Sequence, residues 1–216
     1  MLSKSRYRKY DAFESFMDVF IPPHKSTAYS YFEKLPKQLQ KPNQQLIMKY
    51  LILLRHAKSS WKNLSLSDHD RPLNKRGKQA APMMGKRLLM KSFHPQLILT
   101  STAKRALKTA KLMAKEINLP KHKLQTSSKL YHAMPDEMRA VISQCDDSYQ
   151  TVMLVAHNPG ITYFANELLN ERYFYNIPTT GIVTFSIDVS SWQYVLDLNI
   201  CMKAELVDYD YPKLDS

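Results

Sequence analysis

From residue 48 onward, short apolar runs alternate with longer amphipathic stretches. The runs at 51–54, 96–100 and 151–156 are too short for helices, and such runs are typical of strands buried on both faces of a parallel sheet. Helical patterns occupy 75–91, the stretch between Ser101 and Pro120, 135–145 and 161–169. This alternation predicts an α/β domain with a mostly parallel central sheet.

The remaining elements are predicted from weaker patterns. Residues 129–131 are interpreted as a short third strand, and the alternation at 181–189 and 192–200 predicts an antiparallel strand pair. Asn74 is a credible N-cap for the helix at 75–91, and Ser101 or Thr102 for the next helix. The tail from Glu205 onward is rich in Tyr and Asp and carries no recognisable motif.

Basic and imidazole side chains stand where the predicted strands end. Arg55 and His56 close the first apolar run, His157 closes the run at 151–156, and Arg105 follows the run at 96–100. Ligands of open α/β sheets bind outside the carboxyl ends of the strands. A guanidinium offers a fixed fork of donors to phosphate oxygens, and an imidazole can serve as a nucleophile. The pattern therefore favours phosphoryl transfer, although the Arg-His pair alone also fits residues that cap a strand and meet solvent.

Composition describes an ordinary globular protein. The 216 residues are 44% hydrophobic and 23% charged, and no stretch approaches the length of a membrane span. Residues 1–20 lack the apolar core of a signal peptide, so we expect a cytoplasmic location and no membrane partner.

Cysteine and histidine spacing predicts no metal site. Cys145 and Cys201 are interpreted as buried thiols, and the seven histidines form no metal-binding motif. We therefore expect no structural zinc and no cofactor. The net charge of +12 favours anionic partners, which include phosphorylated substrates, nucleic acid and acidic proteins, and charge alone does not choose among them.

Residues 1–47 form a basic, proline-interrupted N-terminal extension. They carry eight Lys or Arg against four Asp or Glu, a net charge of +4, and four prolines. A short helix around 11–20 is predicted from Phe13, Phe16, Met17 and Phe20 at helical spacing. The domain itself is expected to span 48–216.

Four motifs stand between about residues 48 and 200. They read Arg55-His-Ala-Lys-Ser59 with Trp61, Asp70-Arg-Pro-Leu73 with Gly77, Ser101-Thr-Ala-Lys-Arg105 with Thr109-Ala110, and Val155-Ala-His-Asn-Pro159. Together they resemble the histidine phosphatase superfamily, which is related to phosphoglycerate mutase, and within it the SixA-type phosphohistidine phosphatases. The resemblance implies three layers, with a mostly parallel sheet of about six strands and helices on both faces.

The resemblance also implies a role for each site residue. His56 would be the nucleophile, and Arg55, Arg105 and His157 would hold the phosphoryl group, without a metal. Lys58 and Ser59 would contribute to substrate binding, Lys58 by adding positive charge at the pocket mouth, although Lys58 equally fits a surface lysine. Lys58 stands where mutases tend to have Glu, and Ala57 replaces the more frequent Gly, which fits the SixA-like branch.

Three functions remain open at the sequence level. The first is a phosphatase that acts on a protein phosphohistidine through phospho-His56, and nucleic acid is not expected as a partner. The second is a phosphatase of small phosphate esters, and the third is a non-catalytic phosphate-binding or interaction module. No carboxylate is placed to protonate a leaving group, since Asp136 and Glu137 are interpreted as charges at a helix N-terminus.

Overall fold

A single six-stranded sheet forms the centre of the protein. The structure, a computed structural model, describes residues 48–91, 93–196 and 204–213; the predicted extension at 1–47, with its helix around 11–20, lies outside them. The strands run in the order β3-β2-β4-β1-β5-β6. They are β1 (Lys49–Arg55), β2 (Leu97–Ser101), β3 (Leu124–Ser127), β4 (Thr151–Ala156), β5 (Ile182–Ile187) and β6 (Ala204–Asp210).

The sheet is parallel on one side of β1 and antiparallel on the other. β1 pairs in parallel with β4, and β2 pairs in parallel with β4 and β3. β5 pairs antiparallel with both β1 and β6. In the β1–β4 register Arg55 lies opposite Ala156, so the residues that follow, His56 and His157, leave the sheet side by side.

Helices cover both faces of the sheet, as the α/β prediction requires. They are α1 (Lys75–Leu89), α2 (Lys104–Glu116), α3 (Pro135–Ile142) and α4 (Gly160–Leu169). Alternate residues of β1 point to opposite faces: Ile52 and Leu54 pack in the cluster that contains α1 and α2, and Leu51 and Leu53 in the cluster that contains α3 and α4. Burial on both faces explains the continuous apolar runs.

Two predicted strands are wrong in position. The third strand is Leu124–Ser127 rather than 129–131, where Ser128–Leu130 forms a 3-10 helix. β3 lies at the sheet edge and is partly exposed. An edge strand of this kind lacks the apolar run that marks a buried strand.

The second error concerns the partner of β5. Trp192–Leu196, predicted as part of a strand, is a 3-10 helix, residues 197–203 lie outside the described part, and the pairing strand is Ala204–Asp210. Trp192 is fully buried, its Nε1–H donates to the Tyr149 carbonyl at 2.8 Å, and the Lys49 ammonium lies 5.2 Å from its ring centroid. The apolar residues at 192–196 are therefore spaced for packing beside the amino end of β1 rather than for pairing in the sheet.

Two further features bear on expectations from composition. The described residues contain no helix that is both long and apolar enough to cross a bilayer. Cys145 is a free, half-buried thiol whose pKa is raised by burial to about 12, and Cys201 lies outside the described residues. A thiol with so high a pKa is a poor nucleophile.

Candidate active site

His56 lies at the carboxyl end of β1 with each ring nitrogen engaged. Its Nδ1 is 2.8 Å from the Ala57 carbonyl oxygen, and Arg105 Nε lies 3.3 Å from its Nε2. A carbonyl can only accept, so Nδ1 carries the proton and Nε2 presents its lone pair. The tautomer is therefore the one in which Nε2 carries a lone pair, which accepts from Arg105 Nε–H in this structure.

The segment after His56 is fixed by two helices. The Ala57 N–H donates to Thr109 Oγ1 of α2 at 3.0 Å, and the Asn74 N–H donates to the Lys58 carbonyl at 3.0 Å. Asn74 also caps α1 by accepting from the Gly77 N–H, as predicted. A Cβ on Gly77 would lie 2.2 Å from the Lys58 carbonyl oxygen, so only glycine fits there.

Arg105 occupies the first turn of α2, close to His56. Helix α2 begins after Ala103, which makes no side-chain cap, so the predicted caps Ser101 and Thr102 are wrong. Besides its contact with His56, the Arg105 guanidinium donates from Nη1 to the Asp68 carbonyl and from Nη2 to Asp68 Oδ2 at 2.8 Å. Asp68 thus fixes the plane of this guanidinium.

His157 follows β4 and packs beside His56. The two ring centroids are 4.9 Å apart, and His157 Nε2 lies 2.9 Å from Ser101 Oγ. Within the described part of the chain its buried Nδ1 has no hydrogen-bond partner. If the Ser101 hydroxyl donates to Nε2, Nδ1 carries a proton that is free for an anionic ligand.

Arg55 ends β1 and reaches the loop before β5. Its Nη1 donates to Asn176 Oδ1 at 3.1 Å and to the Ile177 carbonyl at 2.6 Å, and Asn158 Nδ2 donates to the same two acceptors. Arg55 Nε is buried and finds no partner among the described residues. It is a second donor available to an anion.

Both imidazoles are held neutral. Burial lowers the pKa of His56 to about 3, with the Arg105 and Arg55 charges acting in the same direction and the Ala57 carbonyl opposing them. Burial lowers the pKa of His157 to about 2, and His56 and Arg105 add to that shift. A neutral His56 has the lone pair that nucleophilic attack needs.

Ser59 and Lys58, the two further residues predicted to bind substrate, differ in their exposure to solvent. Ser59 is buried, and its Oγ accepts from Arg71 Nη2 at 2.7 Å, so this hydroxyl is engaged by protein. The Lys58 side chain is exposed, and the hydrogen bonds of this residue run through its backbone. The structure brings His56, Arg105 and His157 together. The Ser59 hydroxyl instead contacts Arg71.

Two comparisons by sequence bear on this arrangement. The sequence profile of the histidine phosphatase superfamily (branch 1) matches residues 51–130. An uncharacterized protein of Mycobacterium leprae is 32% identical over 171 residues, which cover 74% of this chain and 100% of that protein.

The chain belongs to the histidine phosphatase superfamily. An uncharacterized chloroplastic protein of Arabidopsis thaliana is 49% identical over 72 residues, but the match spans only 33% of each protein. The suspected family resemblance is thereby confirmed.

Solved structures share the fold expected of the superfamily. The protein described as phosphohistidine phosphatase SixA from Nakamurella multipartitia has a TM-score of 0.65 at 24% identity, over 76% of this chain and 96% of that one. The corresponding SixA protein from Agrobacterium tumefaciens has a TM-score of 0.63 at 24% identity, over 76% and 99%. At these identities the likeness concerns the fold.

Sequence reasoning missed a group of three residues beside His56 and His157. Asp68 Oδ2 accepts from the Tyr131 hydroxyl at 2.9 Å and lies 3.3 Å from His132 Nε2. The His132 ring stacks on His157, with centroids 5.7 Å apart. Neither Asp68 nor the Tyr131-His132 pair ends an apolar strand, so the signal that located His56 and His157 is absent there.

Asp68 is ionised in this setting. Burial alone would raise the pKa of its carboxyl, but hydrogen bonds from Tyr131 and from Arg105 outweigh that effect and hold the pKa well below its usual range. Asp68 therefore acts as a fixed negative charge.

Asp136 and Glu137 lie in the first turn of α3, where the sequence placed them. Asp136 accepts from Arg139 at 2.8 Å, and Glu137 Oε2 accepts from the Met134 N–H at 2.8 Å. Both carboxylates serve the helix N-terminus.

Proposed function

We propose that this protein is a phosphatase that transfers a phosphoryl group to His56 and then to water, and that its substrate is a protein phosphohistidine. The observation that carries the proposal is the tautomer of His56. The Ala57 carbonyl holds Nδ1–H, and Nε2 is presented beside the Arg105 guanidinium.

The charges around His56 suit a transferred phosphoryl group. In such a transfer negative charge spreads over three equatorial oxygens, and fixed donors that face them lower the barrier. Arg105, Arg55 Nε and His157 Nδ1 are donors of that kind, and the last two have no competing partner among the described residues. These donors are side chains of the protein and need no metal ion to face the phosphoryl oxygens. We therefore expect turnover to be unaffected by a chelator.

Two arguments favour phosphohistidine as the substrate: the chemistry of its leaving group and the similarity of this fold to that of other proteins. An imidazole departs as a neutral group once its second nitrogen is protonated, which occurs near neutral pH. Several proteins with a similar fold are described as phosphohistidine phosphatases, one of them in complex with tungstate. Another with this fold is described as a glucosyl-3-phosphoglycerate phosphatase, which keeps small phosphate esters as the alternative. A cytoplasmic location remains a prediction of the sequence.

The decisive experiment is to trap the intermediate. Wild-type protein mixed with p-nitrophenyl phosphate and quenched within milliseconds in alkali, where phosphohistidine survives, should carry phosphate on His56 by peptide mass spectrometry. His56→Asn should lose both the label and turnover, because the attacking nitrogen is gone. His122→Asn, at an exposed position in the 3-10 helix before β3, is the matched control and should behave as wild type. Near-normal turnover by His56→Asn would refute the mechanism.

Substrate class is measured on the same preparations. Relative kcat/KM for a phosphohistidine-containing protein, p-nitrophenyl phosphate and a set of sugar phosphates ranks the alternatives. We expect the phosphohistidine protein to rank first. A sugar phosphate that ranks above it would move the protein to the small-ester class.

A further inference from the structure

The Tyr131-His132 pair forms a strained turn over the candidate site. His132 has a φ of 54°, in the left-handed region that side chains other than glycine seldom occupy. Such conformations persist where surrounding contacts impose them, and they cluster at functional sites. No role has been assigned to His132 above, although its ring stacks on His157.

His132 lies between the buried imidazoles and solvent. Its ring is 5.7 Å from His157, which in turn is 4.9 Å from His56, and its side chain is 56% exposed. The Tyr131 ring packs against it with centroids 4.2 Å apart. A leaving group that departs from a phosphoryl group on His56 must pass toward solvent, and His132 is the exposed member of this series of three imidazoles.

Asp68 provides the partner that an acid–base imidazole needs. Its Oδ2 lies 3.3 Å from His132 Nε2, so the carboxylate accepts the Nε2–H. Among the described residues, Nδ1 of His132 makes no hydrogen bond. A carboxylate on one nitrogen fixes the tautomer and stabilises the imidazolium, which leaves the other nitrogen to exchange a proton with the substrate.

Asp68 cannot itself be that acid. Its carboxylate accepts from Tyr131, from Arg105 and, through Oδ1, from Arg71 at 2.8 Å. The same contacts keep its pKa well below the usual range, so it carries no proton to give at neutral pH. The ionisable groups that face His132 are therefore an anionic Asp68, the Tyr131 phenol and the neutral His157, with Arg105 beyond Asp68.

We propose that His132, held by Asp68, is the general acid that protonates the leaving group and the general base that activates water in the second step. The proposal deepens the function proposed above and rests on phospho-His56. In the first step the His56 Nε2 lone pair forms the N–P bond. With a phosphate ester, the P–O bond to the leaving group breaks, its electron pair stays on oxygen, and that oxygen takes a proton from imidazolium His132. With a phosphohistidine, the P–N bond to the substrate imidazole breaks, its electron pair stays on nitrogen, and the departing imidazole takes that proton instead.

The second step reverses these roles. Neutral His132 takes a proton from water as the water oxygen attacks phosphorus, and the N–P bond breaks with its electron pair returning to His56 Nε2. Inorganic phosphate leaves, and His132 is again an imidazolium. Asp68 remains an anion throughout.

The test compares two aryl phosphates that differ in how much the leaving oxygen needs a proton. p-Nitrophenolate leaves readily without one, whereas phenolate does not. In His132→Asn, kcat/KM for phenyl phosphate should fall on the order of 10²-fold or more, the typical contribution of a positioned acid, while kcat/KM for p-nitrophenyl phosphate should change less than about 10-fold. Asn tolerates the left-handed backbone, and His122→Asn is the control.

The pH profile separates acid catalysis from mere positioning. For wild type, kcat/KM on phenyl phosphate should fall as the pH rises through the range in which an imidazole loses its proton, about pH 5 to 8. In His132→Asn this fall should disappear. An equal loss on both substrates, or an unchanged alkaline limb, would overturn the proposal.

The failure of this proposal can be distinguished from failure of the proposed function. If wild type forms no phospho-His56, the parent mechanism is wrong. If His132→Asn still forms phospho-His56 from p-nitrophenyl phosphate, and hydrolyses phenyl phosphate as fast as wild type, then only the role of His132 is wrong.

Discussion

At the scale of single residues, the two neighbouring buried imidazoles, His56 and His157, make the site sensitive to acid. Burial keeps both rings neutral, with pKa values of about 3 for His56 and about 2 for His157. An imidazole in the unfolded chain has a pKa of about 6.5. Between these values the unfolded chain binds more protons than the folded protein, so the folded state loses stability as the pH falls.

The corresponding prediction concerns stability rather than turnover. The free energy of unfolding should decline from about pH 6.5 to about pH 4.5, a range above the titration of most carboxylates. In His157→Gln the decline should be shallower, because one buried neutral imidazole has been removed. Urea unfolding at several pH values measures both slopes, with His122→Asn as a control. Parallel slopes for wild type and His157→Gln would contradict the assignment.

The sequence identified a site residue only where that residue ends or follows a predicted strand. His56 and His157 were found because each ends an apolar run, and Arg105 because it follows another. Asp68, Tyr131 and His132 reach the same place through loops, and 64 residues separate the two partners of the Asp68–His132 contact. Loop conformation depends on tertiary contacts such as that of Asp68 with Arg105, 37 positions further along the chain, which no local pattern encodes.

At the scale of elements, the first turn of α1 supports the segment that follows β1. The Lys58 carbonyl accepts from the Asn74 N–H, and the Cα of Gly77 packs directly against it. The position of Ala57 and Lys58, and therefore of His56, depends on this close approach. The start of α1 and His56, the proposed nucleophile, are therefore structurally coupled.

Gly77→Ala should therefore destabilise the protein, although alanine favours helices by about 1 kcal/mol over glycine. The added Cβ would meet backbone at 2.2 Å, so the segment must shift, and forced overpacking typically costs about 1–3 kcal/mol. We expect a lower thermal midpoint together with reduced kcat. Gln79→Ala, at an exposed position on the same helix, is the matched control. A Gly77→Ala protein more stable than wild type would refute this coupling.

Buried elements were predicted better than edge elements. β1, β2 and β4 are covered on both faces, and their contiguous apolar residues gave correct strands. β3 and β6 are the two edges of the sheet, and their partly exposed patterns were misread. The buried 3-10 helix at Trp192–Leu196 has the apolar content of a strand, so a strand was predicted there and β6 was missed.

At the scale of the whole molecule, the groups of the candidate site all lie between residues 55 and 177. The N-terminal 47 residues add a charge of +4 and four prolines. From this charge and these prolines we predict that they form an appended segment rather than part of the domain at 48–216.

Removal of residues 1–47 should leave a folded domain with unchanged kcat on p-nitrophenyl phosphate. Size-exclusion chromatography, thermal unfolding and steady-state kinetics of the full chain and of residues 48–216 test this expectation. If truncation abolishes soluble expression, the Phe13, Phe16 and Phe20 stripe instead completes the hydrophobic core.

The two tryptophans report on opposite ends of β1. Trp192 is buried beside Lys49 at the amino end, whereas Trp61 is 66% exposed, with the Arg71 guanidinium 3.1 Å from its ring centroid. Arg71 in turn binds Asp68, which holds Arg105, so we expect the surroundings of the Trp61 indole to change when an anion binds Arg105. An anionic quencher such as iodide should extinguish the Trp61 emission and spare that of Trp192. Fluorescence from one unlabelled sample can therefore follow ligand occupancy and global unfolding as separate signals.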